Sequence, residues 1–232
     1  MEGIEIILVG PQLAENIGAV ARVMYNFGLH SLRVVQPRDG WPPNVKAVEL
    51  AVKGAFILKN AKLFDNLDAA LADINFAIAA TVRSRDMNKQ VYSARGAVKK
   101  LAQKRTVGLK SAVLFGRENN GLSNAEINLC DAIATVPTCN SSLNLAQAVA
   151  VFAYETVCLQ EILPAKHQDL ANKAELQRLM QILLQELTKK QYFKDENLQK
   201  QMFLNITNMF VRAQLSSQEV RTLLGIIKAL VR

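Results

Sequence analysis

The sequence predicts an α/β fold, a parallel sheet covered by helices on both faces, with a small all-helical extension at its C-terminal end. Three observations carry that expectation. Short apolar runs recur at Ile4–Val9, Leu32–Val35, Ile74–Ala80, Ala112–Phe115 and Ala132–Val136, and they lack the polar alternation of half-exposed strands. Segments of helical spacing lie between several of them, as a parallel sheet requires. After residue 163 no such run remains, and amphipathic helical patterns take over. The division falls at 1–163 for the α/β domain and 164–232 for the extension.

Taken in order, Ile4–Val9 ends at Gly10-Pro11, a strand closed by a turn. Glu15 to Phe27 is helical, with Ile17, Val20, Ala21 and Met24 on one side. Leu32–Val35 is a second strand, stopped by Pro37 and the Asp39-Gly40 turn. Trp41-Pro42-Pro43-Asn44 is a loop, and Val45 to Val52 is a helix. Leu58 to Phe64 fits a weak strand or a loop. The next three strands are Ile74–Ala80, Ala112–Phe115 and Ala132–Val136, the last ending at Pro137. A long helix begins near Leu143 and is broken by Pro164. In the extension, one stripe is Leu176, Leu179, Met180, Leu183 and Leu187. A second is Leu198, Met202, Phe203, Ile206, Met209 and Phe210. The third helix opens at Ser216 with Glu219 as a capping box, and its apolar side is Val220, Leu223, Leu224, Ile227 and Leu230.

Composition removes several classes. Half of the 232 residues are apolar and 21% are charged, which excludes a disordered chain or a coiled-coil rod. The most apolar stretch, Leu143 to Leu163, is interrupted by Asn144, Gln147, Glu155 and Gln160, so no membrane span is expected. Three cysteines with no C-x-x-C spacing argue against a disulfide framework or a zinc cage, and no metal is expected. With a Met-Glu-Gly-Ile-Glu start that resembles no export signal, the expected compartment is the cytoplasm. The net charge of +8 is unevenly spread. Nine basic residues and one acid fall between Arg83 and Lys110, which alone accounts for the whole excess. Such a window fits a polyanion-binding face or a solubilising helix face. Residues 164–232 carry a further net +5.

Three polar segments follow predicted strands, at the edge where parallel sheets bind ligands. The first is Asn16-Ile17-Gly18-Ala19-Val20-Ala21-Arg22, whose small residues permit close backbone approach and whose arginine offers a fork suited to phosphate. The second is Leu114-Phe115-Gly116-Arg117-Glu118-Asn119-Asn120-Gly121-Leu122-Ser123, four polar residues between two glycines. Turn glycines alone also explain that spacing. The third is Val136-Pro137-Thr138-Cys139-Asn140-Ser141-Ser142-Leu143-Asn144-Leu145-Ala146-Gln147-Ala148, a polar loop opening a helix of small residues. Its free N–H groups can receive a carboxylate or an adenine edge, or Ser141 or Ser142 caps the helix.

In order, spacing and strand context, these three segments resemble motifs 1, 2 and 3 of the SpoU (TrmH-like) class of the SPOUT RNA methyltransferases, over residues 4 to about 160. The helical extension, with Asn208-Met209-Phe210-Val211-Arg212-Ala213 and Leu223-Leu224-Gly225-Ile226, resembles that of the TrmJ branch, which methylates the ribose of nucleotide 32 in the tRNA anticodon loop. The resemblance implies a C-terminal trefoil knot, a homodimer, and transfer of a methyl group from S-adenosyl-L-methionine to a ribose 2′-hydroxyl. It implies a cofactor held by Thr81, Val82 and Arg83, by Gly116, and by Val136, Ser141, Ser142, Leu143 and Asn144. It places Arg22 at the hydroxyl, with Ser142 helping to position the substrate. Arginine holds its proton with a pKa above about 12 and is a poor base, so Arg22 is expected to stabilise the developing alkoxide and the adjacent phosphate. The proton then leaves through that phosphate or through water. Asn16 is expected to orient Arg22, and Glu118 to pair with Arg117 or Arg22. Arg22, Arg85, Lys89 and Arg95 are expected to bind RNA. Trp41 and Tyr92 suit either base stacking or packing.

Two other readings differ in class. A knotted RNA-binding protein without catalysis would not need Asn16, Arg22, Ser142 and Asn144 together. A nicotinamide dehydrogenase would need G-x-G-x-x-G after the first strand, and none is present.

Overall fold

The computed structural model describes residues 4–82, 88–159, 169–193 and 195–231. Seven strands form one parallel sheet: β1 (Ile4–Val9), β2 (Leu32–Val35), β3 (Lys62–Phe64), β4 (Phe76–Ala80), β5 (Gln90–Ser93), β6 (Ser111–Phe115) and β7 (Ala132–Thr135), in the order β3-β2-β1-β6-β4-β7-β5. Strand alternation sorts its side chains into two cores. Ile4, Ile6, Leu8, Phe76, Ile78, Val113, Phe115, Ala132 and Ala134 pack on one face. Ile7, Val9, Ala77, Ala79, Ala112, Leu114 and Ile133 pack on the other. Because both faces are covered, the central strands read as unbroken apolar runs.

The first face carries α1 (Ala14–Asn26), α2 (Val45–Ala51), α3 (Ala55–Asn60), α5 (Ala94–Thr106) and α7 (Leu145–Cys158), and the second carries α4 (Leu67–Leu71) and α6 (Asn124–Asn128). Gly18 serves this packing. A Cβ there would sit 2.1 Å from the Ala47 carbonyl oxygen, so the close backbone approach expected of motif 1 is made to α2. The ambiguous Leu58–Phe64 stretch divides into the end of α3 and the edge strand β3. Trp41 and Tyr92 are partly buried against the first core, the packing alternative of the two expected for each.

The C-terminal helices are α8 (Lys173–Lys189), α9 (Glu196–Ala213) and α10 (Ser217–Leu230). Ala171, Leu176, Leu179, Met180 and Val220 form their own apolar centre. Ser216 and Glu219 make the expected capping box, while Leu230 is 77% exposed and lies outside the buried stripe. α8 is tied to the sheet's amino edge. Lys173 Nζ donates to Asp131 at 2.6 Å in a buried pair, the Lys173 amide donates to the Ile74 carbonyl, and Asn75 donates to the Leu170 carbonyl. The helix break expected at Pro164 lies outside the described residues. Among the described residues, no helix is long and apolar enough to cross a membrane.

Candidate active site

A cleft of about 790 Å³, its mouth open to solvent, lies at the carboxyl ends of β4, β6 and β7. Its floor is apolar, with Ala80, Phe115, Ala134, Leu145 and Phe152, and polar segments rise around it. Thr81, Val82, Gly116, Glu118, Val136, Ser142 and Leu143 all line it, so the loops after β4, β6 and β7 converge as the motif order requires. Arg117, Asn119 and Asn120 line it too; Arg117 is expected from the sequence only as a partner for Glu118, and the two asparagines are visible in motif 2 without an assigned part. Ser141 and Asn144 do not line the cleft. Arg83 and Arg85 lie outside the described residues.

The three motifs are held together by one hydrogen-bond network. The Glu118 carboxylate accepts from the Gln12 amide (2.8 Å), the Leu13 amide (3.2 Å) and Asn16 Nδ2 (2.8 Å). Asn144 Nδ2 donates to Asn16 Oδ1 at 2.9 Å. Asn16 is thus a buried link between motif 2 and motif 3. This corrects two expectations. Glu118 pairs with neither Arg117 nor Arg22 but receives the free N–H groups at the start of α1, where a carboxylate is favoured. Asn16 does not orient Arg22: six residues along a helix put the two on different faces, and Arg22 is exposed outside the cleft.

Arg117 is locked elsewhere. Its guanidinium forks onto Glu126 at 3.1 Å, and Glu126 also closes the capping box of α6 with Ser123. Gly116 is required by this turn, because a Cβ would lie 2.2 Å from the Gly121 carbonyl carbon. The turn-glycine alternative therefore accounts for that residue. α7 is capped by Asn144, whose Oδ1 accepts from the Ala146 amide at 2.9 Å, and neither Ser141 nor Ser142 fills that place. Ser142 is left exposed at the cleft wall.

The basic window divides. Lys89 is only 8% exposed, and its Nζ donates to the Asn128 and Cys130 carbonyls at 3.2 and 2.6 Å, so it is not offered to RNA. Burial lowers its pKa from 10.5 to about 8. Lys104 is buried as well; it donates to Gln214 and lies over the Phe76 ring. Arg95 is exposed and paired with Glu155 at 2.9 Å. Amphipathic spacing alone does not reveal Lys89, which sits in a polar stretch just before a short edge strand.

Comparison with known proteins agrees with this architecture. The SpoU rRNA Methylase family matches residues 3–154. The chain is 33% identical to the tRNA (cytidine/uridine-2′-O-)-methyltransferase TrmJ of Salmonella typhimurium, covering 99% of this chain and 97% of that protein. It is 37% identical to the uncharacterized tRNA/rRNA methyltransferase LasT of Escherichia coli, over 80% of this chain and 81% of LasT. The crystal structure of TrmJ from Z. mobilis superimposes with a TM-score of 0.90 at 36% identity, over 98% of this chain and 99% of that one. A parallel sheet with three interlocked loop motifs at its carboxyl edge, matched across most of its length, makes this chain a member of the SpoU methylase family.

Proposed function

We propose that the protein transfers a methyl group from S-adenosyl-L-methionine to a ribose 2′-hydroxyl of tRNA, at nucleotide 32 of the anticodon loop, acting in the cytoplasm as a homodimer. The observation that carries this reading is the cleft itself. Its apolar floor and polar walls suit a ligand with a flat ring at one end and charges at the other. Thr81, Val82, Gly116, Val136, Ser142 and Leu143 would hold the cofactor there, Ser141 and Asn144 belong to the same loops, and Arg83 follows Val82 in the sequence. When bound, it supplies an electrophilic methyl on a sulfonium whose charge is neutralised as the methyl leaves. The near full-length likeness to TrmJ proteins supports tRNA and a cytidine or uridine ribose over other RNA targets, and nucleotide 32 rests on the resemblance of the helical extension.

The chain's own groups have distinct tasks. Glu118, Asn16 and Asn144 fix the relative positions of the three motifs, so the cleft is formed before substrate arrives. Ser142 is free to donate to the nucleotide beside the cleft. Arg22, exposed on α1, would stabilise negative charge on the hydroxyl oxygen and bind the neighbouring phosphate. Since it lies outside its own chain's cleft, it would act at the cleft of a second copy. Exposed apolar side chains beside it on α1, α3 and α7, among them Tyr25, Phe56, Tyr154 and Val157, support such a dimer face. The order in which β6 and β7 insert on either side of β4 supports a knotted thread. Incubation with unmodified tRNA and methyl-labelled cofactor, followed by nucleotide mapping, tests the reading. Label on a ribose 2′-oxygen at nucleotide 32 is expected, and label on a base or none at all contradicts it.

A further inference from the structure

The opposite edge of the sheet holds a second cleft, about 600 Å³ with its open mouth included, between the sheet and the α9–α10 junction. The first residues of β4 and β7 form its floor, and Gln90, Tyr92, Lys100, Asp131, Arg212 and Gln214 its walls. No ion pair within 4 Å holds Lys100 or Arg212 among the described residues. The two glutamines are oriented by their acceptor ends. Gln90 Oε1 accepts from the Tyr92 hydroxyl at 2.6 Å, and Gln214 Oε1 accepts from Lys104 Nζ at 2.9 Å. Each amide nitrogen is then left to donate. The one carboxylate in the wall, Asp131, is already engaged, accepting from Lys173 Nζ at 2.6 Å and the Ala77 amide at 2.7 Å. Lys89 and Lys104 lie just behind; burial chiefly favours loss of their protons, and the charge of Arg212 on Lys89 and of Lys100 on Lys104 acts in the same direction. Gln214 also holds a left-handed backbone, φ 49°, a conformation uncommon for a side-chain-bearing residue.

A cleft walled by two unpaired cations and two amide donors, with its acid neutralised, is complementary to an oxyanion. We propose that it binds a phosphate group through Lys100, Arg212 and the amides of Gln90 and Gln214. The phosphate is either free or carried on the RNA backbone. The site stands apart from the methyl-transfer cleft, at the other ends of the same strands. Only the RNA-borne source rests on the tRNA reading above.

The test compares wild-type protein with the double variant Lys100→Gln/Arg212→Gln. A control, Lys99→Gln/Arg105→Gln, removes two exposed charges from the outer side of α5. Inorganic phosphate is titrated against thermal unfolding at constant ionic strength, since general salt stabilisation is common to all three proteins. In parallel, tRNA affinity is measured against salt. A free phosphate predicts an unfolding shift that survives in the control and is lost in the cleft variant. A backbone phosphate predicts tRNA binding weakened about tenfold in the cleft variant, with the salt slope reduced by about 1 to 2. If neither readout separates the cleft variant from the control, the site is refuted. A phosphate shift without any tRNA binding leaves the site standing and removes the RNA reading.

Discussion

The two edges of the sheet are built from the same strands and use polar residues in opposite ways. At the amino edge, charges are spent on structure. Arg33 bridges Glu5 and Asp73, and its guanidinium holds the Asp73 carboxyl well below the usual carboxylate range. Lys173 is buried against Asp131, and Lys89 is enclosed by carbonyls. At the carboxyl edge, the motifs are joined by Glu118 and two asparagines, while Ser142, Asn119 and Asn120 are left at the wall of an open cleft. The lesson is that a basic count along the chain does not locate the working face. Two lysines in the window richest in positive charge, Lys89 and Lys104, are internal supports, and the cleft proposed for the chemistry has mostly neutral side chains around it.

Breaking the carboxyl edge should cost activity far more than stability. Arg22→Ala should lower methyl transfer by about a hundredfold or more, with cofactor affinity nearly intact by calorimetry; wild-type turnover would refute the role given to this residue. A mixing experiment sharpens the point. Ser142→Trp should fill the cleft and be inactive alone, yet, in the proposed dimer, an exchanged equal mixture with Arg22→Ala should recover roughly a quarter of wild-type activity, because half of the dimers would then keep one complete site. No recovery would mean that Arg22 serves its own chain.

Breaking the amino edge should do the reverse. Asp131→Ala leaves Lys173 buried without its partner and should destabilise by about 3–5 kcal/mol in denaturant unfolding, while turnover per folded molecule stays close to wild type. Glu118→Ala falls between the two. It strips acceptors from two amides and Asn16, so a loss of about 2 kcal/mol is expected, together with a raised KM for the cofactor as the motifs loosen. An unchanged KM would sever the network from the cleft.

The last effect is a pH dependence, small across any one step in pH. Because the folded chain holds Lys89 at about 8 and the unfolded chain near 10.5, the unfolded state binds more protons in that window. Lys89 therefore makes stability rise with pH from about 8 to 10.5, by at most about 1 kcal/mol per pH unit. Subtracting the unfolding free energies of Lys89→Met from those of wild type should leave this rise, and a flat difference would place the lysine in water.

Where period and punctuation carry the information, the sequence is a good guide. Central strands such as Ile4–Val9 and Ala112–Phe115, and the Ser216-Glu219 cap, follow from local rules, and the loops that line the cleft follow from motif order. Less legible are contacts between residues far apart in the chain. Nothing near Glu118 announces that its partners are Gln12, Leu13 and Asn16, a hundred residues earlier. Gln90–Ser93 escapes because an exposed edge strand shows no buried run, and Lys89 and Lys104 escape because a buried lysine looks like a surface one until its carbonyl or glutamine partner is placed. Gly18 and Gly116 are visible as glycines, but whether helix, turn or ligand needs the space is a tertiary fact.

The central claim is that the methyl donor occupies the carboxyl-edge cleft. A crystal grown with S-adenosylhomocysteine, the demethylated product, tests it most directly. That molecule should lie folded against Thr81, Gly116, Val136 and Leu143, and finding it at another surface, or unbound at saturating concentration, would overturn the assignment of the cleft.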